Sequence, residues 1–342
     1  VEILTFTMQY PDFLFPGKTQ YSDDPQPKDL RITRVMNSVN PVSWVRTGRL
    51  IRRKKADLLV VKFWIPLMAP CLGTIARIAR KGGTKVVSVL DNVIPHEPHF
   101  WDKWFIRYFI GSVDRFVAMS DSVHADCEKF INRKHPQPIT LCPHPLYDNF
   151  GTPLPKDEAR KQLGLDKDAV CLLFFGFIRD YKGLDLLMKA YADPRFAGKK
   201  VQLVVAGEFY NNGAQYTELE QQLGLKGKID WHTNFIPDDK VRVYFSAADL
   251  IVQPYKTATQ SGVTQIAYHF CKPMLVTNVG GLAEIVPNGK VGYVTAVEPK
   301  AIADAILDFC ERGDAECFRT GIEEEKKKYA WSRMTEAIIS NS

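Results

Sequence analysis

FFGFIRDYKGLDLLMKAY, residues 174–191, decides the fold. An apolar run of strand length, 171–178, meets a short cationic turn, and a second apolar pattern follows at Leu184, Leu187, Met188 and Tyr191. That second spacing is helical, because side chains three and four apart share one face. A buried strand, a tight loop and an amphipathic helix make the repeating unit of a parallel α/β sheet. The alternation continues in both directions. Downstream, strand patterns at 201–207, 229–233, 249–255 and 274–278 are separated by helical ones at 216–223, 239–247 and 263–270. A charged helical tail, 301–310 and 322–339, follows them. Upstream, strands are predicted at 1–7, 58–63, 85–90, 115–119 and 139–142, with helices at 41–54 and 67–81. Asn40 and Pro41 suit the start of the first of these helices, and Gly82-Gly83 the end of the second.

Between the two series lies PHPLYDNFGTPLPKD, residues 143–157, rich in proline and polar turn residues. The expected organisation is α/β throughout, in Rossmann-like domains with parallel sheets at 1–150 and 151–325. A C-terminal helix within 326–342 is expected to pack back on the first domain. The upstream series opens directly on a strand, so the strand–loop–helix unit that normally begins such a domain is expected to be absent. A chain of 342 residues exceeds one typical core, and 45% apolar with 25% charged residues is globular composition. No apolar run approaches the roughly 20 residues that span a bilayer, and no secretory leader pattern opens the chain. Seven scattered cysteines without a C-x-x-C pair argue against a disulfide framework or structural zinc. The expected setting is cytoplasmic.

Charge is uneven. Residues 1–150 carry 21 Lys/Arg against 14 Asp/Glu, and the remainder is near neutral. The excess gathers in PVSWVRTGRLIRRKK, residues 41–55, where Trp44, Val45, Leu50 and Ile51 mix with six basic residues. Such a segment suits an anionic membrane face, met through Arg46 to Lys55 at the inner side of the membrane. It equally suits a solvated surface helix. Nucleic acid is not an expected partner, since no recognition motif accompanies the charge.

Ligands of open parallel sheets bind beyond the carboxyl ends of the strands. Four loops there carry candidate chemistry. In 174–183, Gly176, Arg179 and Lys182 precede a helix N-terminus, a combination that suits a diphosphate or simply two solvated cations. In PYKTATQSG, residues 254–262, Thr257, Thr259, Gln260 and Ser261 end in Gly262 ahead of Val263; Ser261 reads either as a ligand contact or as a helix cap. In TNVGGLAEI, residues 277–285, Gly280-Gly281 permits close approach and Glu284 follows. Upstream, DNVIPHEPHFW, residues 91–101, offers Asp91, Asn92, His96 and Glu97 among aromatics and prolines, a mixture that suits sugar hydroxyls. Its H-E-x-H order lacks the helical histidine pair of a zinc site.

Taken in order, FFGFIRDYKGLDLLMKAY, VVAGE, DWHTNFIPDDKVRVYFSAADLIVQPY and KPMLVTNVGGLAEIV, preceded by LDNVIPHE, FVAMSDSV and CPHPLYDNFG, resemble family 4 ("group 1") glycosyltransferases of the GT-B fold over nearly the whole chain. The resemblance implies two Rossmann-like domains facing a central cleft. It implies transfer of a sugar from a nucleoside diphosphate sugar to a glycan or lipid-linked acceptor, with retention, in cell-surface polysaccharide or glycoconjugate synthesis. Neither metal nor cofactor is implied. Arg179 and Lys182 match the basic pair on the donor diphosphate. Gly207, Glu208, Phe235 and Ile236 would lie near the base, with Gly176, Thr259, Gln260, Ser261, Gly262 and Val263 around the phosphates and sugar. Asp91, Asn92, His96 and Glu97 fall on the sugar and acceptor side. The chain also departs from the pattern. Ala258 and Ile266 stand where many members carry glutamates, with Gln265 the nearest polar neighbour, and Asp91 stands where a histidine is frequent. These departures keep two other readings open, a nucleotide-sugar epimerase and a non-catalytic binding or scaffold protein.

Overall fold

In a computed structural model, residues 1–11, 29–95, 99–134, 136–210, 213–258, 261–312 and 315–340 are described. The chain divides into two units, residues 1–143 with 334–342, and residues 144–333.

The first unit begins with β1 (Glu2–Met8), parallel to β2 (Arg31–Asn37). Helix α1 (Pro41–Lys54) follows; the Asn40 side chain accepts from the Val42 amide and caps it, and left-handed Lys55 ends it. Then come β3 (Leu58–Phe63), α2 (Ala69–Arg80), β4 (Lys85–Leu90), α3 (Asp102–Ile110), β5 (Arg115–Ala118), α4 (Asp121–Glu128) and β6 (Ile139–Leu141). These four strands form a parallel sheet in the order β3-β4-β5-β6. Val86, Leu90, Phe116 and Val117 are all buried. Layers covering both faces of a sheet explain why its strands read as unbroken apolar runs. Strand β2 escaped the sequence expectation because Arg31 and Arg34 interrupt its apolar pattern.

The second unit holds α5 (Lys156–Leu163), β7 (Val170–Phe175), α6 (Leu184–Tyr191), β8 (Val201–Ala206), α7 (Ala214–Gln222), β9 (Ile229–His232), α8 (Asp238–Ala247), β10 (Leu250–Gln253), α9 (Gly262–His269), β11 (Met274–Thr277), α10 (Leu282–Ile285), β12 (Gly292–Thr295), α11 (Pro299–Arg312) and α12 (Arg319–Lys326). Its parallel sheet runs β12-β11-β10-β7-β8-β9, so chain order reverses between β7 and β10. Every residue of β10 and β11 is buried. The helical tail predicted at 322–339 is broken: the chain turns at Lys327–Tyr329 and resumes as α13 (Trp331–Ile339). The break buries Tyr329, whose carbonyl accepts from the Leu146 amide. Within the first unit, Met334 and Ala337 of α13 pack with Val87, Val117 and Met119, and the Arg115 guanidinium donates to the carbonyls of Ile338 and Ser340.

Candidate active site

The carboxyl ends of β7, β8 and β10 in the second unit bring most of the predicted donor residues together. Gly176 follows β7 with φ +92° and Gly207 follows β8 with φ +140°. A Cβ on Gly207 would lie 2.4 Å from the Gly176 carbonyl oxygen, so the two chains approach as only glycine permits. The Gly176 amide donates to Ala206 and the Gly207 amide to His232, which holds the three strand ends in step. Glu208 and the segment Phe235-Ile236 follow β8 and β9 respectively. Phe235 is largely exposed, and the Glu208 carbonyl accepts from the Ile178 amide.

Beyond Gly176 the chain makes a single 3-10 turn, Asp180–Lys182, with the Lys182 amide donating to the Arg179 carbonyl. Arg179 precedes that turn and Lys182 ends it, near enough for the Arg179 charge to act on the Lys182 ammonium. The Arg179 guanidinium stacks 3.8 Å from the centroid of the Tyr210 ring, a favourable contact with the face of the π system. The Lys182 ammonium lies 3.0 Å from the point where a Cβ on Gly176 would sit, and 5.8 Å from the Tyr255 ring centroid. Burial, followed by the neighbouring Arg179 charge, draws the Lys182 ammonium down to about 8. Among the described residues neither cation has an acidic partner. Lys256 contrasts with them, since Asp180 and Asp185 engage it at 2.8 and 3.0 Å.

The turn is locked to the loop after β10. The Lys256 amide donates to the Tyr181 carbonyl, and a Cβ on Gly183 would fall 2.0 Å from the Pro254 oxygen at φ +68°. Gly183→Ala is therefore expected to cost about 2–3 kcal/mol of stability. It is also expected to weaken nucleoside diphosphate binding at least tenfold, read by calorimetry beside a thermal melt. Wild-type melting and affinity would show that the turn is not fixed in this way.

Buried Tyr255 connects the remaining parts. Its hydroxyl meets Ser261 Oγ at 3.2 Å, and its carbonyl accepts from Thr277 Oγ1. Ser261 caps α9, its hydroxyl accepting from the Val263 amide. Val263 is buried, its Cγ2 lying 3.9 Å from the hypothetical Gly176 Cβ, while exposed Gly262 faces Tyr147. Thr259 and Gln260 lie outside the described residues. Glu284 is exposed on α10. Gln265 is buried, and its Oε1 finds no hydrogen-bond partner among the described residues. Sequence reading missed Tyr210, which enters from the loop after β8.

In the first unit, Asp91 and Asn92 follow β4, both half-buried. The Asp91 amide donates to the Phe63 carbonyl, and its carboxylate pairs with Lys62 at 3.1 Å. The second carboxylate oxygen is buried without a hydrogen bond among the described residues. His96 and Glu97 lie outside the described residues. Among the described residues no group of three or more His, Cys, Asp or Glu side chains could hold a metal ion.

The profile of the family described as glycosyl transferases group 1 matches residues 155–328, just over half of the chain. The chain belongs to that family. As a group 1 glycosyl transferase it is similar to the lipopolysaccharide 1,2-N-acetylglucosaminetransferase of Salmonella typhimurium, with 28% identity over 202 residues covering 53% of this chain and 50% of that one. It is also similar to D-inositol 3-phosphate glycosyltransferase 2 of Catenulispora acidiphila, with 30% identity over 195 residues covering 55% and 45%. The matched region thus spans about half the length of these curated relatives. Among solved structures, Anabaena HepE in complex with UDP superposes with a TM-score of 0.69 at 16% identity, covering 90% of this chain and 84% of that one. That likeness shows the GT-B fold. In this group 1 member Ala258 and Ile266, where many relatives are expected to carry glutamates, both pack with the apolar core.

Proposed function

We propose that this group 1 chain transfers a sugar from a nucleoside diphosphate donor to a glycan or lipid-linked acceptor, with retention and without a metal. The observation that carries the reading is the pair Arg179 and Lys182, two cations without acidic partners among the described residues, at the carboxyl end of β7. An exposed Arg179 and a half-buried Lys182, neither with a counterion among the described residues, are arranged for an anion that arrives with a ligand. The glycines at 176 and 207 let the ends of β7 and β8 meet backbone to backbone, and the missing side chain at 176 leaves the space that the Lys182 ammonium fills.

During transfer the bond between the sugar C1 and the diphosphate oxygen breaks, and its electron pair leaves with the diphosphate. The acceptor hydroxyl oxygen forms the new bond to C1 on the same face, and its proton passes to the leaving phosphate. Arg179 and Lys182 offset the charge that develops on that phosphate, the role a divalent cation takes elsewhere. UDP in the Anabaena structure supports a nucleoside diphosphate. The lipopolysaccharide and inositol phosphate names of the relatives support a glycoconjugate acceptor and a place in cell-surface polysaccharide synthesis. Asp91 and Asn92 are the acceptor-side groups in this reading, and Arg46 to Lys55 meets an anionic membrane face. No helix among the described residues is long and apolar enough to cross a membrane.

The test is turnover of a panel of nucleoside diphosphate sugars, with and without acceptor, the product anomer being read by NMR. Arg179→Ala is expected to lower donor turnover about a hundredfold. Unchanged turnover would reject the site, and an inverted anomer would reject retention. A new sugar nucleotide formed without acceptor would identify an epimerase instead.

A further inference from the structure

We infer that Tyr210 is a positioning residue for the donor: its ring carries the face of the Arg179 guanidinium and leaves the N–H edge of that group free for diphosphate oxygens. The inference deepens the reading of Arg179 and Lys182 as the diphosphate pair and rests on it.

The loop after β8 fixes where Tyr210 stands. Its amide donates to the Ile178 carbonyl at 3.1 Å, and the Ile178 amide donates to the Glu208 carbonyl at 2.8 Å. The loop therefore runs beside the residue that precedes Arg179. Ile178 is buried and bridges to Phe209 in parallel. Successive side chains of an extended segment point to opposite sides. Phe209 takes the inner side, its ring centroid 5.8 Å from that of Tyr216 and 6.1 Å from that of Trp231. A Cβ on Gly213 would come within 2.8 Å of the same ring, so the chain closes tightly behind it. Tyr210 is thereby turned outward, 52% exposed, against Arg179.

A ring does something for a guanidinium that a carboxylate does not. Arginine presents its N–H donors in one plane, directed outward from the edge of the group. A carboxylate grips that edge and offsets the charge. A ring centred 3.8 Å from the guanidinium carbon meets the face instead. Among the described residues no hydrogen bond or ion pair occupies the edge of Arg179. The carboxylate next along the chain, Asp180, is held by Lys256 at 2.8 Å.

The first unit contains the same contact with the opposite outcome. Arg77 lies 3.7 Å from the Tyr108 centroid, but its N–H groups donate to the carbonyls of Gly73 and Tyr108. That arginine is committed to joining α2 and α3. Arg179 is held by its face alone, with its donors uncommitted. An exposed arginine without such support samples many rotamers, and an arriving phosphate must order it. The ring orders the guanidinium beforehand, so less freedom is lost on binding.

The experiment is a double-mutant cycle on the full chain, read by calorimetry with whichever of UDP, GDP, ADP and CDP the wild type binds most tightly, beside thermal melts. Tyr210→Ala is expected to weaken binding about five- to tenfold, and Tyr210→Leu by a similar factor, with melting temperatures close to wild type. Tyr210→Phe keeps the π face and should lose less than about twofold. Tyr210→Glu should weaken binding more than alanine does, although it offers Arg179 a firmer partner, because the carboxylate takes the N–H edge and repels phosphate. With Arg179→Ala already in place, Tyr210→Ala should change affinity by less than about twofold. An equal loss in both backgrounds would show the ring touching the nucleotide directly, and would overturn the inference while the diphosphate pair stands. Wild-type affinity in the alanine and leucine variants, or in the glutamate variant, overturns it equally. If Arg179→Ala binds as the wild type does, or none of the four nucleotides binds the wild type, the diphosphate reading falls and the inference falls with it.

Discussion

Lys182→Ala is expected to lower kcat/KM for the sugar donor by at least about a hundredfold, the scale found when one preorganised charge or donor at a developing anion is removed. The ammonium is half-buried, so its field on a phosphate is screened less than that of a surface lysine. Arginine is not expected to restore activity. The ammonium already fills the space that a single Cβ on Gly176 would need, and a planar guanidinium is larger and differently directed. The pH dependence gives a second readout. Burial and Arg179 bring the Lys182 ammonium down to about 8 in the free chain. The protonated form binds diphosphate, so kcat/KM should be level below about 8 and fall as pH rises through it. A bound diphosphate favours the charged form, which moves the corresponding limb of kcat to higher pH. Lys182→Ala should abolish the limb in kcat/KM. Stopped-flow or coupled assays across pH 6 to about 10 measure this. A variant with wild-type kcat/KM, or one that retains the alkaline limb, would remove Lys182 from the reaction.

Much of this arrangement is legible in the sequence because it is local. Arg179 and Lys182 are three residues apart, and the strand before them and the helix after them have unmistakable periods. Where the pattern is non-local or one-sided, reading fails. Tyr210 lies under Arg179 only because the β7 and β8 loops bridge at Ile178 and Phe209, a pairing that no spacing announces. Helix α3 is not distinguished from its loop in the sequence, because outward Trp104 and Tyr108 remove the contrast between apolar and polar faces. In α1 the sequence mixes Trp44 and Ile51 with arginines as if all shared a surface, but packing turns those two inward. Ser261 was open between cap and ligand contact, and the cap bond to Val263 is what forms. Strand β12 is four residues long and opens on Gly292, too brief for its period to register.

Asp249→Ala is expected to cost about 3–5 kcal/mol, because it leaves a buried guanidinium without its counter-charge. Arg160 on α5 is 1% exposed. It donates to the carbonyls of Ala247, Asp166 and Lys167 and pairs with Asp249 immediately ahead of β10. Asp249 also accepts from the Cys171 amide on β7 and pairs with Lys156. One carboxylate thus ties α5 to the two central strands whose far ends carry the cations and the 254–258 loop. For a unit of this size such a loss corresponds to a fall in melting temperature of about 10 °C or more. Replacing Arg160 and Asp249 together by methionine and leucine should recover most of it, since a buried pair contributes little net stability over apolar residues of similar volume. The double variant separates stability from function. If β10 is positioned by packing of its fully buried residues, donor turnover returns with the melting temperature. If turnover stays low in a stable double variant, the ion pair itself sets the strand's position, and with it the distance between the Lys256 amide and the Tyr181 carbonyl that locks the cationic turn. A single variant melting within about 1 °C of wild type would contradict burial of an uncompensated charge.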